Sequence, residues 1–379
     1  MNKNRVNTSS TNDGINGLFM SAVAFILVLL IAVALIVVFP ISKNNVKDTN
    51  INKGNSTTAQ KTNKDEPSNP VMGNTTPLYP TAETRTSYKI GTASNVAILE
   101  GDSFIKSNNT ILVKLDANGM TSTVEKNADQ KMYPASMTKV MTLLVACERV
   151  TSLDYMLTIE KKHIDYLSSS KGGSSFFGND EDNIGERISV KDALYLISYE
   201  SDTISCLLIA EHIAGSEEAF VALMNQKAEY LKLSGTHFEN CTGLYSENHY
   251  STCRDIATIM AYATDNELAR SILLSTSIYS FTSDKFYTTK DPNKKVTYYP
   301  NYPSWYDDRF NKQNKLETVT IIGGKTGYID ESGVSLVSYA EGANGQKYIN
   351  VIVGQPKGSG LSESISTSEV KKIYNTYAK

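Results

Sequence analysis

Tyr133-Pro134-Ala135-Ser136-Met137-Thr138-Lys139, followed by Val140, Met141, Leu144 and Val145, decides how the rest of this chain is read. Met137, Val140, Met141, Leu144 and Val145 recur at i, i+3, i+4, i+7 and i+8 with Pro134 just upstream, so the stretch predicts a buried helix that opens at Ser136. Lys139 then lies one turn above Ser136 on the same face, with Cβ atoms about 5–6 Å apart, within reach of the hydroxyl. Ser103 to Lys106, Ser168 to Lys171 and Ser368 to Lys371 have the same spacing but open no comparable helix. Context, rather than spacing, singles out Ser136.

A serine hydroxyl is a poor nucleophile until a base removes its proton. Four histidines in 379 residues offer no obvious partner, which leaves a neutral lysine as the economical base. Desolvation and a second cation both depress a lysine pKa, and Lys325 is the candidate for that cation. A helix start also brings a free N–H and the positive end of a dipole beside the reacting atom.

Two further tracts complete the constellation. Ser201-Asp202-Thr203 separates two helix-like stretches, Ser189 to Tyr199 and Thr203 to Ala214, and so puts Ser201 at a junction. Lys325-Thr326-Gly327 follows an alternating strand, Glu317 to Ile322, whose paired Gly323 and Gly324 permit close backbone approach. It reads as an edge strand offering cation, hydroxyl and amides to a carboxylate.

With these tracts together, the chain resembles the low-molecular-mass penicillin-binding proteins that act as D-alanyl-D-alanine carboxypeptidases, within the serine β-lactamase/transpeptidase-like superfamily. The likeness runs from about Ser94 to about Gly354 and includes Tyr133 to Lys139, Ala210-Glu211-His212-Ile213-Ala214-Gly215 and His249-Tyr250-Ser251-Thr252. It implies that Ser136 is acylated, Lys139 is its base, and Ser201 relays a proton to the leaving D-alanine. It implies that Lys325, Thr326 and Gly327 hold the substrate, and that the N–H groups of Ser136 and Tyr328 form an oxyanion hole. The implied partners are a peptidoglycan stem peptide ending in D-Ala-D-Ala and β-lactam antibiotics, with no cofactor and no metal. Thr203 departs from the family, which usually has asparagine there. A threonine hydroxyl has less reach than an amide that can both donate and accept, so substrate positioning is the step it affects.

Two other readings stand beside this one. A β-lactamase of class A deacylates with a glutamate, usually in a Glu-x-x-Leu-Asn tract, and none occurs between Ser201 and Lys325. A catalytically impaired wall-binding or β-lactam-binding protein is encouraged by Thr203 but opposed by intact Ser136, Lys139, Lys325 and Thr326.

The fold class expected is α+β: an antiparallel sheet built from both ends of the domain and flanked by helices, plus an all-helical lobe, with the site between them. Asn95 to Leu99 is extended. Ile111, Val113 and Leu115 alternate before Asp116-Ala117-Asn118-Gly119, and with Met120 to Glu125 they predict a hairpin. Val319 to Ile322, Val334 to Ala340 and Tyr348 to Val353 supply the closing strands, the last two across Asn344-Gly345. The middle, Val190 to Leu274, is mostly helical, with Thr252 to Asp255 as a capping box, and a last helix covers Ser366 to Tyr377.

Upstream, residues 1–17 read as a short cytoplasmic tail and 18–40 as a single transmembrane helix. Leu18 to Phe39 carries no charge and is long enough for a bilayer that needs about 20 residues. Residues 41–86, rich in Asn, Thr, Ser, Lys and Pro, read as a disordered tether, and 87–379 as the penicillin-binding domain. Lys3 and Arg5 before the span and Lys43, Lys47 and Lys53 after it do not choose an orientation. The resemblance places the domain on the extracytoplasmic side of the cell membrane.

A net charge of −3 and a pI near 5.9 give no global basic field, which argues against nucleic acid as a partner. Cys147 and Cys206 fall on apolar helix faces; Cys241 and Cys253 flank a turn-rich stretch and are the candidate pair for a disulfide. His237 and His249 read as histidines satisfying backbone groups. Trp305 with Tyr298, Tyr299, Tyr302 and Tyr306 reads as loop packing ahead of a substrate rim. Arg254 reads either as a carboxylate ligand or as a surface residue at a helix start.

Overall fold

The computed structural model describes residues 87–117, 119–275, 279–281, 296–298, 316–355 and 365–379, all within the unit that begins at Pro67. The expected membrane span and tether lie outside them, as do Trp305 and the tyrosines at 299, 302 and 306.

The strands are β1 (Ile90–Ile98), β2 (Asn109–Asp116), β3 (Gly119–Lys126), β4 (Met156–Thr158), β5 (Arg187–Ser189), β6 (Tyr279–Phe281), β7 (Val296–Tyr298), β8 (Val319–Ile329), β9 (Gly333–Gly342) and β10 (Lys347–Gln355). The α-helices are α1 (Lys139–Cys147), α2 (Lys161–Ser169), α3 (Val190–Tyr199), α4 (Thr203–Ala214), α5 (Glu217–Tyr230), α6 (Cys253–Ala263), α7 (Glu267–Leu273) and α8 (Ile365–Tyr377). Strands from both ends of the domain merge into one sheet in the order β1-β3-β2-β10-β9-β8.

That sheet is mixed rather than antiparallel throughout, because β1 runs parallel to β3. The short turn between Asp116 and Gly119 locks β2 against β3, while the other edge of β2 is taken by β10. Only the outer edge of β3 is left for β1. Since the chain runs along β1, back along β2 and forward along β3, pairing there has to be parallel. Side-chain alternation carries no information about strand direction.

Alternation does decide which core each residue enters. Ile111, Val113, Leu115, Val337, Ile349 and Val351 face the large core shared with α1 and α6, while Leu112, Leu336, Ala340, Tyr348 and Ile352 face a second core closed by α8. The sheet is therefore covered on both faces. Glu369 of α8 ties that layer to the β1–β2 connection by accepting from the backbone N–H groups of Lys106 and Ser107.

Helix starts follow the capping chemistry of their sequences. Ser189, Asp202, Ser216, Thr252 and Asn266 each accept, through the side chain, the backbone N–H three residues on. Each such cap is worth about 1 kcal/mol. Thr252 makes half of the expected box; the carboxylate of Asp255 turns away to Gly235 N and Thr236 Oγ1. The middle is mostly helical, as expected, apart from the stretch between α5 and α6, which is built from turns and isolated bridges.

Cys241 and Cys253 do not pair. All four cysteines are free and buried: Cys253 opens α6 inside the core, and Cys241 Sγ donates to Glu217 Oε1 at 3.3 Å.

Candidate active site

Ala135–Thr138 winds as a 3-10 turn, and α1 continues from Lys139. This is tighter than the α-helical start the spacing predicts. In a 3-10 turn residues i and i+3 eclipse, which stacks Lys139 over Ser136. Lys139 Nζ lies 3.2 Å from Ser136 Oγ and also donates to the carbonyl of Thr242.

Two glycines clamp this turn. Ala135 has φ +49°, a left-handed conformation that costs a non-glycine residue energy and persists only where its surroundings impose it. Gly243, with φ +81°, presses on it so closely that a Cβ there would stand 2.1 Å from the carbonyl oxygen of Ala135. From the other side a Cβ on Gly327 would meet Pro134 O at 3.1 Å. The nucleophile turn is thus gripped between the loop carrying Thr242 and strand β8.

Ser201 occupies the gap between α3 and α4, as its tract predicts, with φ +56°. The neighbouring Asp202 explains how that conformation is held. Its buried carboxylate caps α4 through Ser205 N at 2.6 Å and accepts from Ser175 Oγ at 2.7 Å and Phe176 N at 2.6 Å. Burial pushes the Asp202 carboxyl pKa up, and these hydrogen bonds oppose the rise. Thr203, also buried, anchors the same segment through its N–H to Ser174 O at 2.8 Å.

Lys325, Thr326, Gly327 and Tyr328 belong to β8, which joins the predicted alternating stretch and the predicted edge strand into one and forms an edge of the sheet. Gly323 and Gly324 permit this course: a Cβ at Gly323 would lie 2.5 Å from Leu273 O and one at Gly324 2.3 Å from Val337 O. Lys325 is 1% exposed, and its Nζ donates to Ser201 Oγ at 3.0 Å and to Thr326 O at 3.1 Å. Thr326 is half-buried; Tyr328 is exposed and donates to Asp330 Oδ1 at 2.6 Å.

The cleft therefore holds two lysine–serine pairs. Burial lowers the Lys139 pKa, against the pull of Cys206, Cys241 and Asp202. Burial and then the charge of Lys139 bring Lys325 down to about 7. The sequence expects Lys325 to depress Lys139; instead burial alone lowers Lys139, and the repulsion acts in the other direction, on Lys325. A deprotonated Lys139 3.2 Å from a hydroxyl can accept its proton, while a charged Lys325 on an open strand edge can hold an anion.

Beside these residues, beginning at Tyr328, opens a cavity of about 560 Å³ walled by Tyr166, Lys171, Asn240, Tyr245, Tyr328 and Glu331 among others. The sequence reading did not identify the Thr242 carbonyl, because a backbone acceptor has no residue signature. The turn-forming run Asn240 to Gly243 was the available signal. His237 behaves as expected, its backbone paired with Tyr250 and its Nδ1 2.8 Å from Asn248 O. Arg254 is a surface residue paired with Asp129 and Glu125.

The sequence and the fold have counterparts. The peptidase S11 family, D-alanyl-D-alanine carboxypeptidase, matches residues 97–357. The carboxypeptidase DacF of Bacillus subtilis is 31% identical over 239 residues, covering 60% of this chain and 53% of that protein. DacA of Escherichia coli (strain K12) is 28% identical over 245 residues, covering 64% and 55%. The chain thus spans about half the length of these curated relatives. Among solved structures, the Streptomyces K15 DD-transpeptidase shares the fold with a TM-score of 0.57 at 22% identity, over 72% of this chain and 97% of that one. Penicillin-binding protein 5 from Haemophilus influenzae gives 0.54 at 25%, over 72% and 70%. With a match over well more than half of its residues, the chain belongs to the D-alanyl-D-alanine carboxypeptidase family.

Proposed function

We propose that the protein is a serine carboxypeptidase that removes the terminal D-alanine from peptidoglycan stem peptides through an acyl-enzyme. The observation that carries this reading is Lys139 Nζ at 3.2 Å from Ser136 Oγ, in the cleft where Lys325 meets Ser201. Neutral Lys139 takes the proton of Ser136, and Oγ attacks the carbonyl carbon of the penultimate D-alanine. The oxyanion is held by the N–H groups of Ser136 and Tyr328, where one donor typically contributes about 2.7–4 kcal/mol. Ser201 relays a proton to the leaving amine, the C–N bond breaks, and free D-alanine departs. Water then attacks the ester and restores Ser136. The substrate carboxylate lies against Lys325 and Thr326, beside Gly327, and the acyl side of the peptide runs past Tyr328 into the adjoining cavity.

A β-lactam presents the same amide in a ring, so it acylates Ser136 and leaves slowly. Thr203, short of an asparagine's reach, tunes amide turnover rather than acylation itself. The apolar stretch 18–40 anchors the protein in the cell membrane, with the enzyme on the extracytoplasmic side; protease treatment of intact and of opened cells tests that placement.

Incubation of the protein with a fluorescent penicillin, and separately with a D-alanyl-D-alanine peptide, tests the activity. Stable label with released D-alanine is expected. Rapid loss of label with hydrolysed antibiotic marks a β-lactamase instead, and absence of both label and D-alanine marks a binding protein.

A further inference from the structure

We propose that His249 is a positioning residue for the nucleophile turn: its ring bridges Thr138 to the loop that carries the Thr242 carbonyl, and so holds that carbonyl against Lys139. The inference rests on the catalytic roles proposed above for Ser136 and Lys139.

His249 is 2% exposed, and both of its ring nitrogens are engaged. Nδ1 accepts the backbone N–H of Glu239 at 3.2 Å, and Nε2 lies 2.8 Å from Thr138 Oγ1. A lone pair is needed at Nδ1, so a neutral ring carries its proton on Nε2 and donates it to Thr138. Thr138 is fully buried and stands between Ser136 and Lys139, within the 3-10 turn.

The loop gripped by the other nitrogen is internally braced. Asn240 Oδ1 accepts from Thr242 N at 3.2 Å and Gly243 N at 2.8 Å, while Asn240 Nδ2 donates to Leu244 O at 3.0 Å. Thr142 Oγ1 of α1 donates to Cys241 O at 2.7 Å, and Met132 pairs with Ser251 beyond the loop. This braced loop therefore meets the nucleophile turn through few bonds, and the His249–Thr138 bridge lies one residue from Lys139's own bond to Thr242 O. An apolar side chain could fill the same buried volume without a desolvation cost. What imidazole adds is a rigid two-sided link of fixed length.

That link sets where Lys139 finds its carbonyl acceptor, and hence how dry its amine stays. The ring itself remains uncharged at neutral pH, since burial, then His237 and Lys139, bring its pKa down to about 4. Lys139 is faced in turn by Asp202 and Cys206 of α4 and its cap, by Cys241 of the loop, and by Lys325 of β8.

Two substitutions separate the two bonds. His249→Gln places an amide N–H near Nε2 and keeps the donation to Thr138. His249→Asn reaches only the Nδ1 position and keeps Glu239 alone. The test is the acylation rate of the full-length protein by a fluorescent penicillin as a function of pH. His249→Asn, which releases Thr138, is expected to lose about tenfold or more, with its rate limb moved to higher pH as Lys139 regains water, and His249→Gln, which releases Glu239, to lose about threefold or more with its limb moved the same way. Thr138→Val, which leaves the ring intact and removes its acceptor, is expected to reproduce the Asn behaviour even if a His249 variant does not fold. The wild-type rate and limb in any of these three variants, or a loss of rate with the limb unmoved, would overturn the proposal. Labelling of the wild type reports on Ser136 and Lys139, and the contrast among variants reports on His249, so the two inferences fail separately.

Discussion

Lys139 reaches Ser136 across three residues of one turn, whereas Lys325 reaches Ser201 across 124 residues, from a sheet edge to the gap between two helices. Both ammonium groups are buried, and each donates to one hydroxyl and one backbone carbonyl. The first pair is a property of local backbone geometry, with the two clamping glycines keeping it in place. The second exists only while the sheet is docked on the helical lobe. A cleft assembled in this way keeps the proposed nucleophile and base together as one unit and gives the proposed anion-holding cation to the other wall.

Breaking the local pair should have the largest effect. Lys139→Ala removes the base, and the acylation rate by a fluorescent penicillin is expected to fall about 10²–10⁴-fold, the usual contribution of a positioned base. Lys139→Arg should do no better, because a guanidinium keeps its proton. A rate within a few-fold of wild type in either variant contradicts the assignment.

Breaking the long-range pair should cost less and cost it differently. Lys325→Met removes a charged hydrogen-bond donor to the substrate carboxylate, worth about 1.5–3 kcal/mol, or roughly 10–150-fold in kcat/KM for a D-alanyl-D-alanine peptide. A matched peptide with an amidated C-terminus, slow on the wild type, should lose little. Equal losses on both peptides would show that Lys325 acts on something other than the carboxylate.

The same lysine leaves a signature in pH. With its native pKa near 7 and an unfolded value near 10.5, the unfolded chain holds a proton that the native state lacks between those values. Stability of the wild type should therefore gain a contribution as pH rises through that window. In Lys325→Met this contribution disappears, and thermal melts near pH 7 should show a Tm equal to or above the wild type. For activity the signs oppose each other: kcat/KM rises as Lys139 loses its proton and falls as Lys325 loses its own at higher pH, because the charge of Lys139 that helps hold the Lys325 pKa down is gone once Lys139 is neutral. A bell-shaped profile is expected, and Lys325→Met should lack its alkaline fall.

The smallest effect expected is at Thr203, which opens α4 two residues after Ser201. Thr203→Asn should change turnover of the amide peptide by less than about tenfold while leaving penicillin acylation nearly unaltered. Unchanged rates for every substrate would remove Thr203 from the account.

The local pair was legible in the sequence because its parts lie within one turn, where spacing is geometry. Lys325 was legible as a cation on a strand, but its distance to Ser201 belongs to the docking of sheet on lobe, which no local pattern reports. The hairpin of β2 and β3 followed from its turn residues, and the direction of β1 did not, since a period of two is the same in parallel and antiparallel pairs. The edge strand carrying Lys325 was legible as well, and the missing side chains of Gly323 and Gly324 are what lets β8 pass unbroken between Leu273 and Val337 into it. Thr242 was missed because it acts through its carbonyl, and the candidate Cys241–Cys253 pair stays reduced, since turn-rich spacing says nothing about which thiols face each other.

The most direct test of the central claim is intact-mass analysis and peptide mapping of the full-length protein after reaction with penicillin. One adduct per chain, confined to the peptide containing Ser136 and absent from Lys139→Ala on the same timescale, is the predicted result. An adduct on another serine, or a Lys139→Ala protein acylated as fast as the wild type, would contradict it.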